Sequence, residues 1–289
     1  MGIDGRTKIV AILGDPVAHS LSPQMHNAAF AAAGLNWRCV PFRVPKADLR
    51  AALRGLGALG VVGCNITIPH KEAAASDVDE LDPVAARIGA VNTVRVAGGR
   101  LQGFNTDAPG VRDALSRDGR AALDGCTCVI AGAGGGARAA ASALAGTAKR
   151  LTILNRTESR ARGLAQMLAA AHPTGDFRTG DLSSESITAA LDGADVFVHA
   201  TSATMSAAMG GGGGRAEWLT PLGQSLRPGC VVLDMVYTPV WTDLLAAAKE
   251  AGATPVSGLA LLVYQGARSF ELWTGQPAPV DVMRKAVGL

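Results

Sequence analysis

The chain has 289 residues, 48% hydrophobic and 18% charged, a globular balance with length enough for two ordinary cores. Lysine and arginine number 27 against 24 acidic residues, a formal net charge of +3, and basic residues are nowhere interleaved with aromatics, so nothing argues for nucleic acid while a small anionic ligand would be suited. No apolar run reaches bilayer length and Met1–Lys8 lacks a leader pattern, so a cytoplasmic protein with no membrane partner is expected.

In chain order, Lys8–Leu13 is apolar and β-branched and predicts a strand. Pro23–Ala33 predicts a helix with Ser22 placed to cap it. Asn36–Val44 reads as a strand, Lys46–Leu56 as a helix and Gly60–Ile68 as a strand, an alternation that implies parallel βαβ units. Ala90–Val96 and Arg100–Phe104 read as a hairpin, with Gly98 and Gly99 at the tip where positive φ is needed. A helix follows over Ala108–Arg117. The second alternation has strands at Cys126–Ala131, Arg150–Asn155, Ala194–Ala200 and Cys230–Met235, with helices at Gly135–Ala145 and Glu158–Ala170. The run Gly210–Gly214 predicts a mobile surface loop. The last helix, Leu259–Trp273, lines up Leu259, Leu262, Val263, Gly266, Phe270 and Trp273 on one face. The expected fold class is α/β, with two α/β domains and a ligand cleft between them.

The five cysteines show no pair-of-pairs spacing and are expected to be buried thiols, with Cys126 and Cys128 on one face of a strand and no metal site. His26, His70 and His172 lack acidic or cysteine partners at ligand spacing and read as surface or packing residues.

Gly132, Gly134 and Ala137 form G-x-G-x-x-A in the stretch Ala131-Gly132-Ala133-Gly134-Gly135-Gly136-Ala137-Arg138. An apolar strand precedes it and a small-residue helix follows, the context a dinucleotide turn requires. The first glycine allows the tight turn and the second the approach of a pyrophosphate; the small third residue lets helix and strand pack closely. Free N–H groups at the helix start face the anion. The next strand ends Leu154-Asn155-Arg156-Thr157, with no acidic residue for a ribose 2′-hydroxyl. An arginine attracts a 2′-phosphate that a carboxylate would repel, so NADP is the cofactor read here. The same residues also suit a polar turn with Thr157 as N-cap, and the two roles are compatible.

Eight segments taken together resemble the shikimate dehydrogenase family, in its order and over nearly the whole chain. They are His19-Ser20-Leu21-Ser22-Pro23, Asn65–Lys71, Gly89–Thr93, Gly103–Asp107, Gly132–Arg138, Asn155–Thr157, Asp234–Tyr237 and Gly258–Gly275. The resemblance implies a substrate-binding catalytic domain over 1–107, completed by 259–289, and an NADP-binding Rossmann domain over 108–258. It implies Lys71 and Asp107 as the catalytic pair, Ser20, Ser22 and Tyr237 at the substrate carboxylate, and Thr67, Asn92 and Gln265 at the ring hydroxyls. Asp79 matches an acidic position counted with the cofactor site, and Met235 and Gly258 match residues near the nicotinamide. The implied reaction is reversible reduction of 3-dehydroshikimate to shikimate in aromatic amino acid biosynthesis, on the chorismate pathway, and a homodimer is left open.

The residue types suit that chemistry. Hydroxyls satisfy a carboxylate without adding a full charge, and amides that both donate and accept suit vicinal ring hydroxyls. An ammonium at Lys71 can stabilise and protonate a forming alkoxide, with Asp107 orienting it. Singly, each residue has a plainer reading: Ser22 a helix cap, Ser20 a loop serine, Lys71 a solvated lysine, Asp107 a cap for the helix from Ala108, Tyr237 a turn tyrosine. His199 and Thr204 stand where the family usually has Asn and Gly, which puts the loop near the cofactor in question. Alternatives are a quinate or aminoshikimate dehydrogenase of the same family, a non-catalytic ligand sensor, and an unrelated α/β oxidoreductase sharing only the glycine turn.

Overall fold

Two six-stranded sheets organise the chain in the computed structural model, which describes residues 2–205 and 219–289. The glycine run at 210–214 lies outside the described residues. The chain divides into a first unit, Met1–Gly110 with Leu262–Leu289, and a second, Val111–Leu261.

The first unit runs β1 (Lys8–Gly14), α1 (Ser22–Ala32), β2 (Trp37–Arg43), a single 3-10 turn over Lys46–Asp48, α2 (Leu49–Ala58), β3 (Gly63–Ile66), α3 (Lys71–Asp77), β4 (Glu80–Leu81), α4 (Pro83–Ile88), β5 (Thr93–Ala97) and β6 (Arg100–Phe104). Its sheet has the order β2-β1-β3-β5-β6-β4. The first three strands are parallel, as the alternation predicts, but β5 is antiparallel to both β3 and β6, so the sheet is mixed. The hairpin is the reason: Gly98 and Gly99, at φ 58° and 75°, reverse the chain in two residues. Leu49, Leu53 and Leu56 are the buried stripe of α2, at the spacing of one helix face.

The first helix corrects one expectation. Ser22 is its first residue rather than its cap, and its hydroxyl makes no capping bond. Instead the Ser22 N–H donates to Ser20 Oγ at 3.3 Å.

Helix α5 (Asp107–Asp113) passes into a π-helical turn over Ala114–Asp118. The second unit then holds β7 (Thr127–Ala131), α6 (Gly135–Ala145), β8 (Arg150–Leu154), α7 (Glu158–Ala171), β9 (Phe177–Gly180), α8 (Ser184–Leu191), β10 (Val196–His199), α9 (Leu219–Ser225), β11 (Val231–Asp234), α10 (Asp243–Glu250) and β12 (Thr254–Val256). All strands are parallel, in the order β12-β11-β10-β7-β8-β9. The chain leaves β7 in one direction and restarts at β10 in the other, so the strand order reverses between β7 and β10. In parallel sheets ligands bind outside the carboxyl ends of strands at such a reversal. A hollow of about 750 Å³ beside Asp118, Cys126 and Asp195 lies at the opposite, amino end of these strands.

Helices α11 (Gly258–Thr274) and α12 (Val280–Ala286) close the chain. Phe270 stacks on Phe30 of α1 at 5.4 Å, and Trp273 donates its indole N–H to Val94 O at 2.9 Å. Gly63 of β3 has no room for a side chain, because a Cβ there would overlap Val94 O and lie 2.6 Å from Trp273 Nε1. No helix of the described residues is long and apolar enough to cross a membrane. The five cysteines are buried free thiols, and Cys126 and Cys128 do share a face, their sulfurs 3.2 Å apart.

Candidate active site

In the first unit the carboxyl ends of β1, β3 and β6 and the start of β5 meet at one end of the sheet, since Asn65 pairs with Thr93 and Thr93 with Phe104. The loops and helix starts at this end carry Ser20, Thr67, Lys71, Asn92 and Asp107. Lys71 is the first residue of α3, a position where a cation opposes the helix dipole. Its ammonium donates to Asp107 Oδ2 at 2.6 Å, which offsets that penalty. The side chains are 20% and 5% exposed, so the lysine reaches solvent while the carboxylate does not.

Asp107 does not cap its own helix. Asn105 Oδ1 accepts the Ala108 N–H instead, at 3.2 Å, which leaves the Asp107 carboxylate to its neighbours. Its Oδ1 accepts from Asn92 Nδ2 at 2.9 Å. Asn92 Nδ2 also lies 3.2 Å from Gln265 Oε1, and Asn92 Oδ1 takes the Thr106 N–H at 2.7 Å. The structure thus brings Lys71, Asp107, Asn92 and Gln265 into one bonded cluster.

Behind the cluster lies a buried polar layer that the sequence did not disclose. Asn65 Nδ2 donates to Thr93 Oγ1 at 3.0 Å and Ser269 Oγ at 2.9 Å, and Ser269 lies 2.7 Å from Thr93 Oγ1. His26 completes it, 3.2 Å from Asn65 Oδ1, with its other ring nitrogen unpartnered and buried. Burial pulls the His26 imidazole down to about 4, the Asn65 bond opposing. Ser269 follows Gln265 by one helical turn, the one signal that could have found it. His70, also expected to be a packing residue, is buried against Val44 O at 2.7 Å.

Ser20 and Thr67 are half-buried and Ser22 is buried. Thr67 stands at the end of β3, with its N–H on Leu13 O at 2.9 Å and its methyl pressed against Gly14. Asp79 belongs to the first unit and is already engaged. It accepts the Leu101 N–H at 2.8 Å and pairs with Arg54 at 2.7 Å, and these two bonds hold its carboxyl below the usual range. These bonds make Asp79 a strut between α2 and the hairpin.

In the second unit the glycine turn follows β7 directly. Gly132 has φ 125°, and a Cβ there would lie 2.9 Å from Ala200 O, so only glycine fits. Ala133 is buried in the turn. Gly134 is the N-cap of α6 and has open space where a side chain would be. Gly135 and Gly136 begin that helix, and a Cβ on Gly136 would lie 3.1 Å from Met235 Cε. Gly258 packs against the Met235 and Val236 carbonyls at Cβ positions of 2.8 and 2.6 Å. Met235 and Gly258 are therefore assembled beside the glycine turn, and the half-buried Tyr237 follows two residues after Met235.

At the end of β8, Asn155 Nδ2 donates to Thr157 O at 2.9 Å, which shapes the turn. Thr157 is the N-cap of α7 as expected, but its hydroxyl makes no capping bond. Arg156 is exposed, and no ion pair with a described residue occupies it. The carboxyl ends of β10 and β11 carry a buried pair, His199 and Asp234, with Nδ1 and Oδ1 2.8 Å apart. Burial alone would raise the Asp234 carboxyl; the charge and hydrogen bond of His199, with the Thr242 hydroxyl and the Val236 N–H, outweigh it and hold it below the usual range.

Residues 12–94 match the family described as shikimate dehydrogenase substrate binding domain, residues 114–208 shikimate / quinate 5-dehydrogenase, and residues 258–287 shikimate 5'-dehydrogenase C-terminal domain. A shikimate dehydrogenase (NADP(+)) of Methanopyrus kandleri is 46% identical over 290 residues, 99% of this chain and 97% of that one. The fold is similar to a crystal structure of a shikimate dehydrogenase in complex with NADP+, at a TM-score of 0.88 and 38% identity over 99% of this chain and 96% of the other. It is also similar to the shikimate 5-dehydrogenase of Thermus thermophilus in complex with NADP(H) and shikimate, at a TM-score of 0.81 and 36% identity, covering 97% and 98%.

Proposed function

The chain belongs to the shikimate dehydrogenase family, and from that premise we propose that it reversibly reduces 3-dehydroshikimate to shikimate with NADPH, in the cytoplasm, as a step of aromatic amino acid biosynthesis toward chorismate. The observation that carries the reading is the Lys71–Asp107 pair, 2.6 Å apart and joined through Asn92 to Gln265. The first unit is the substrate-binding and catalytic domain, and the second is the NADP domain.

The second unit fits a dinucleotide. Gly132 makes the tight turn and Gly134 leaves open space at the start of α6, where free N–H groups favour a pyrophosphate. No carboxylate stands at Asn155–Thr157 to repel a 2′-phosphate, and Arg156 can bond one bidentately. Residues 132–136 and 155–157 would hold NADP, with Met235 and Gly258 toward the nicotinamide. NADPH, when bound, supplies the hydride.

The chain's own residues handle the proton and the orientation. Lys71 Nζ spends one N–H on Asp107 and has others to offer a ketone oxygen, so it can stabilise the developing alkoxide and protonate it. Asp107 cannot swing, because Asn92 holds its second oxygen. Asn92 and Gln265 present amides to the ring hydroxyls, and Thr67 adds a hydroxyl at the same sheet end. Ser20, Ser22 and Tyr237 are assigned to the substrate carboxylate.

The test follows NADPH absorbance with 3-dehydroshikimate and, in reverse, NADP with shikimate, quinate and aminoshikimate. Turnover with 3-dehydroshikimate is expected. Lys71→Met should lower kcat by about 10²–10⁴ while the substrate KM changes only a few-fold. Tight binding of the acids with turnover of none would instead identify a ligand sensor, and equal loss of kcat and binding in Lys71→Met would remove the lysine from the chemistry.

A further inference from the structure

We infer that His199 is a positioning residue for the dinucleotide, acting through the segment 200–204; this rests on the reading of the glycine turn as an NADP site. Strands β7, β10 and β11 stop at one level, with Ala131, His199 and Asp234 in register. Each strand end passes straight into a segment of the site: the glycine turn, residues 200–204, and Met235–Tyr237. His199 ends the middle strand of the three, and it is fully buried, as is Asp234.

Its bonding has a definite direction. A carboxylate only accepts, so His199 Nδ1 carries the hydrogen of the 2.8 Å bond to Asp234 Oδ1. His199 Nε2 lies 2.5 Å from the Thr201 hydroxyl. Thr201 Oγ1 in turn accepts the Ala203 N–H at 3.1 Å, and Thr204 Oγ1 lies 3.3 Å from Asp234 Oδ1. The His199–Asp234 pair therefore holds the segment 200–204 at two points, the imidazole at Thr201 and the carboxylate at Thr204.

That loop touches the glycine turn. The Ala200 N–H bonds Ala131 O at 2.8 Å, and the Ala200 carbonyl is the atom 2.9 Å from a Cβ placed on Gly132. On the other side the Met235 N–H bonds His199 O at 3.0 Å, and Asp234 also takes the Val236 N–H at 3.0 Å and the Thr242 hydroxyl at 2.7 Å. Both walls flanking the turn hang from one buried pair. An asparagine at 199 could bond Asp234 from the place of Nδ1 but is too short for Thr201. Histidine thus adds a second tie, which fixes the Ala200 carbonyl and so the shape of the turn that receives the pyrophosphate.

The experiment compares His199→Leu, His199→Asn and Thr201→Val in the full-length protein, with NADPH titrated by fluorescence and steady-state constants measured at saturation. His199→Leu is expected to raise the NADPH Kd about ten-fold, the scale of one net hydrogen bond, with the substrate KM unchanged and kcat within about two-fold. His199→Asn should fall between Leu and wild type, and Thr201→Val should match it; Thr201→Val also serves if the Leu variant does not fold. An unchanged NADPH Kd in these variants alongside a lowered Tm would make His199 a packing residue and overturn the inference, as would equal effects of Leu and Asn. If the wild-type protein binds no NADPH, the cofactor reading itself fails; if it does and Arg156→Asp weakens it while the His199 series does not, only this inference fails.

Discussion

Asp107 shows how one residue comes to have a single role. Its neighbour Asn105 caps the helix, so the carboxylate is released to hold Lys71 and accept from Asn92. The buried layer behind it is just as constrained, and His26 makes that measurable. Burial keeps this imidazole neutral down to about 4, whereas the unfolded chain takes up a proton below about 6.5. Acid therefore favours the unfolded state: the contribution of His26 is constant above pH 6.5 and falls by up to about 3 kcal/mol between 6.5 and 4. Urea midpoints from pH 7.5 to 5 should trace this decline, and His26→Asn should flatten it. An unchanged slope in the variant would assign the acid sensitivity to other groups.

At the scale of elements, where a strand stops decides which groups face a ligand. Strand β8 ends at Leu154, so Asn155, Arg156 and Thr157 fall in the turn before α7 with no carboxylate among them. On the proposed reading the cofactor preference is set there. Arg156→Asp replaces an attractive charge-assisted contact with a repulsive one, and should lower the ratio of NADPH to NADH efficiency about 10- to 100-fold. Paired kcat/KM measurements with the two cofactors give that ratio; if it stays at the wild-type value, the 2′-phosphate is held elsewhere. The neighbouring elements β7, β10 and β11 illustrate the same rule, because their common end level is what brings Gly132, His199 and Asp234 together.

For the whole molecule, the chain builds a unit from 1–110, then another, and returns to finish the first with 262–289. That return supplies Gln265 and Ser269 to the polar layer and Phe270, Trp273 and Met283 to the core. A chain ending at residue 261 should therefore lose the fold of the first unit while retaining that of the second. Limited proteolysis should degrade residues 1–110 and leave a resistant fragment from about residue 111; equal protection of both would show that the last two helices are dispensable. The strand–helix alternation, the hairpin at Gly98 and Gly99, the glycine turn and the acid-free end of β8 were legible in the sequence, because each depends on local period, positive φ or residue chemistry within a few positions. Ser22 is not the cap that its place before Pro23 suggests, and short elements such as β4 leave no trace in the sequence, since two residues carry no period. What only the tertiary structure decided is which distant polar residues meet: Asn65 with Ser269, Asp79 with Arg54, His199 with Asp234. A buried hydrogen bond leaves no mark on the spacing of either partner, and the pairing follows from sheet order and register, which form only when the whole chain is folded.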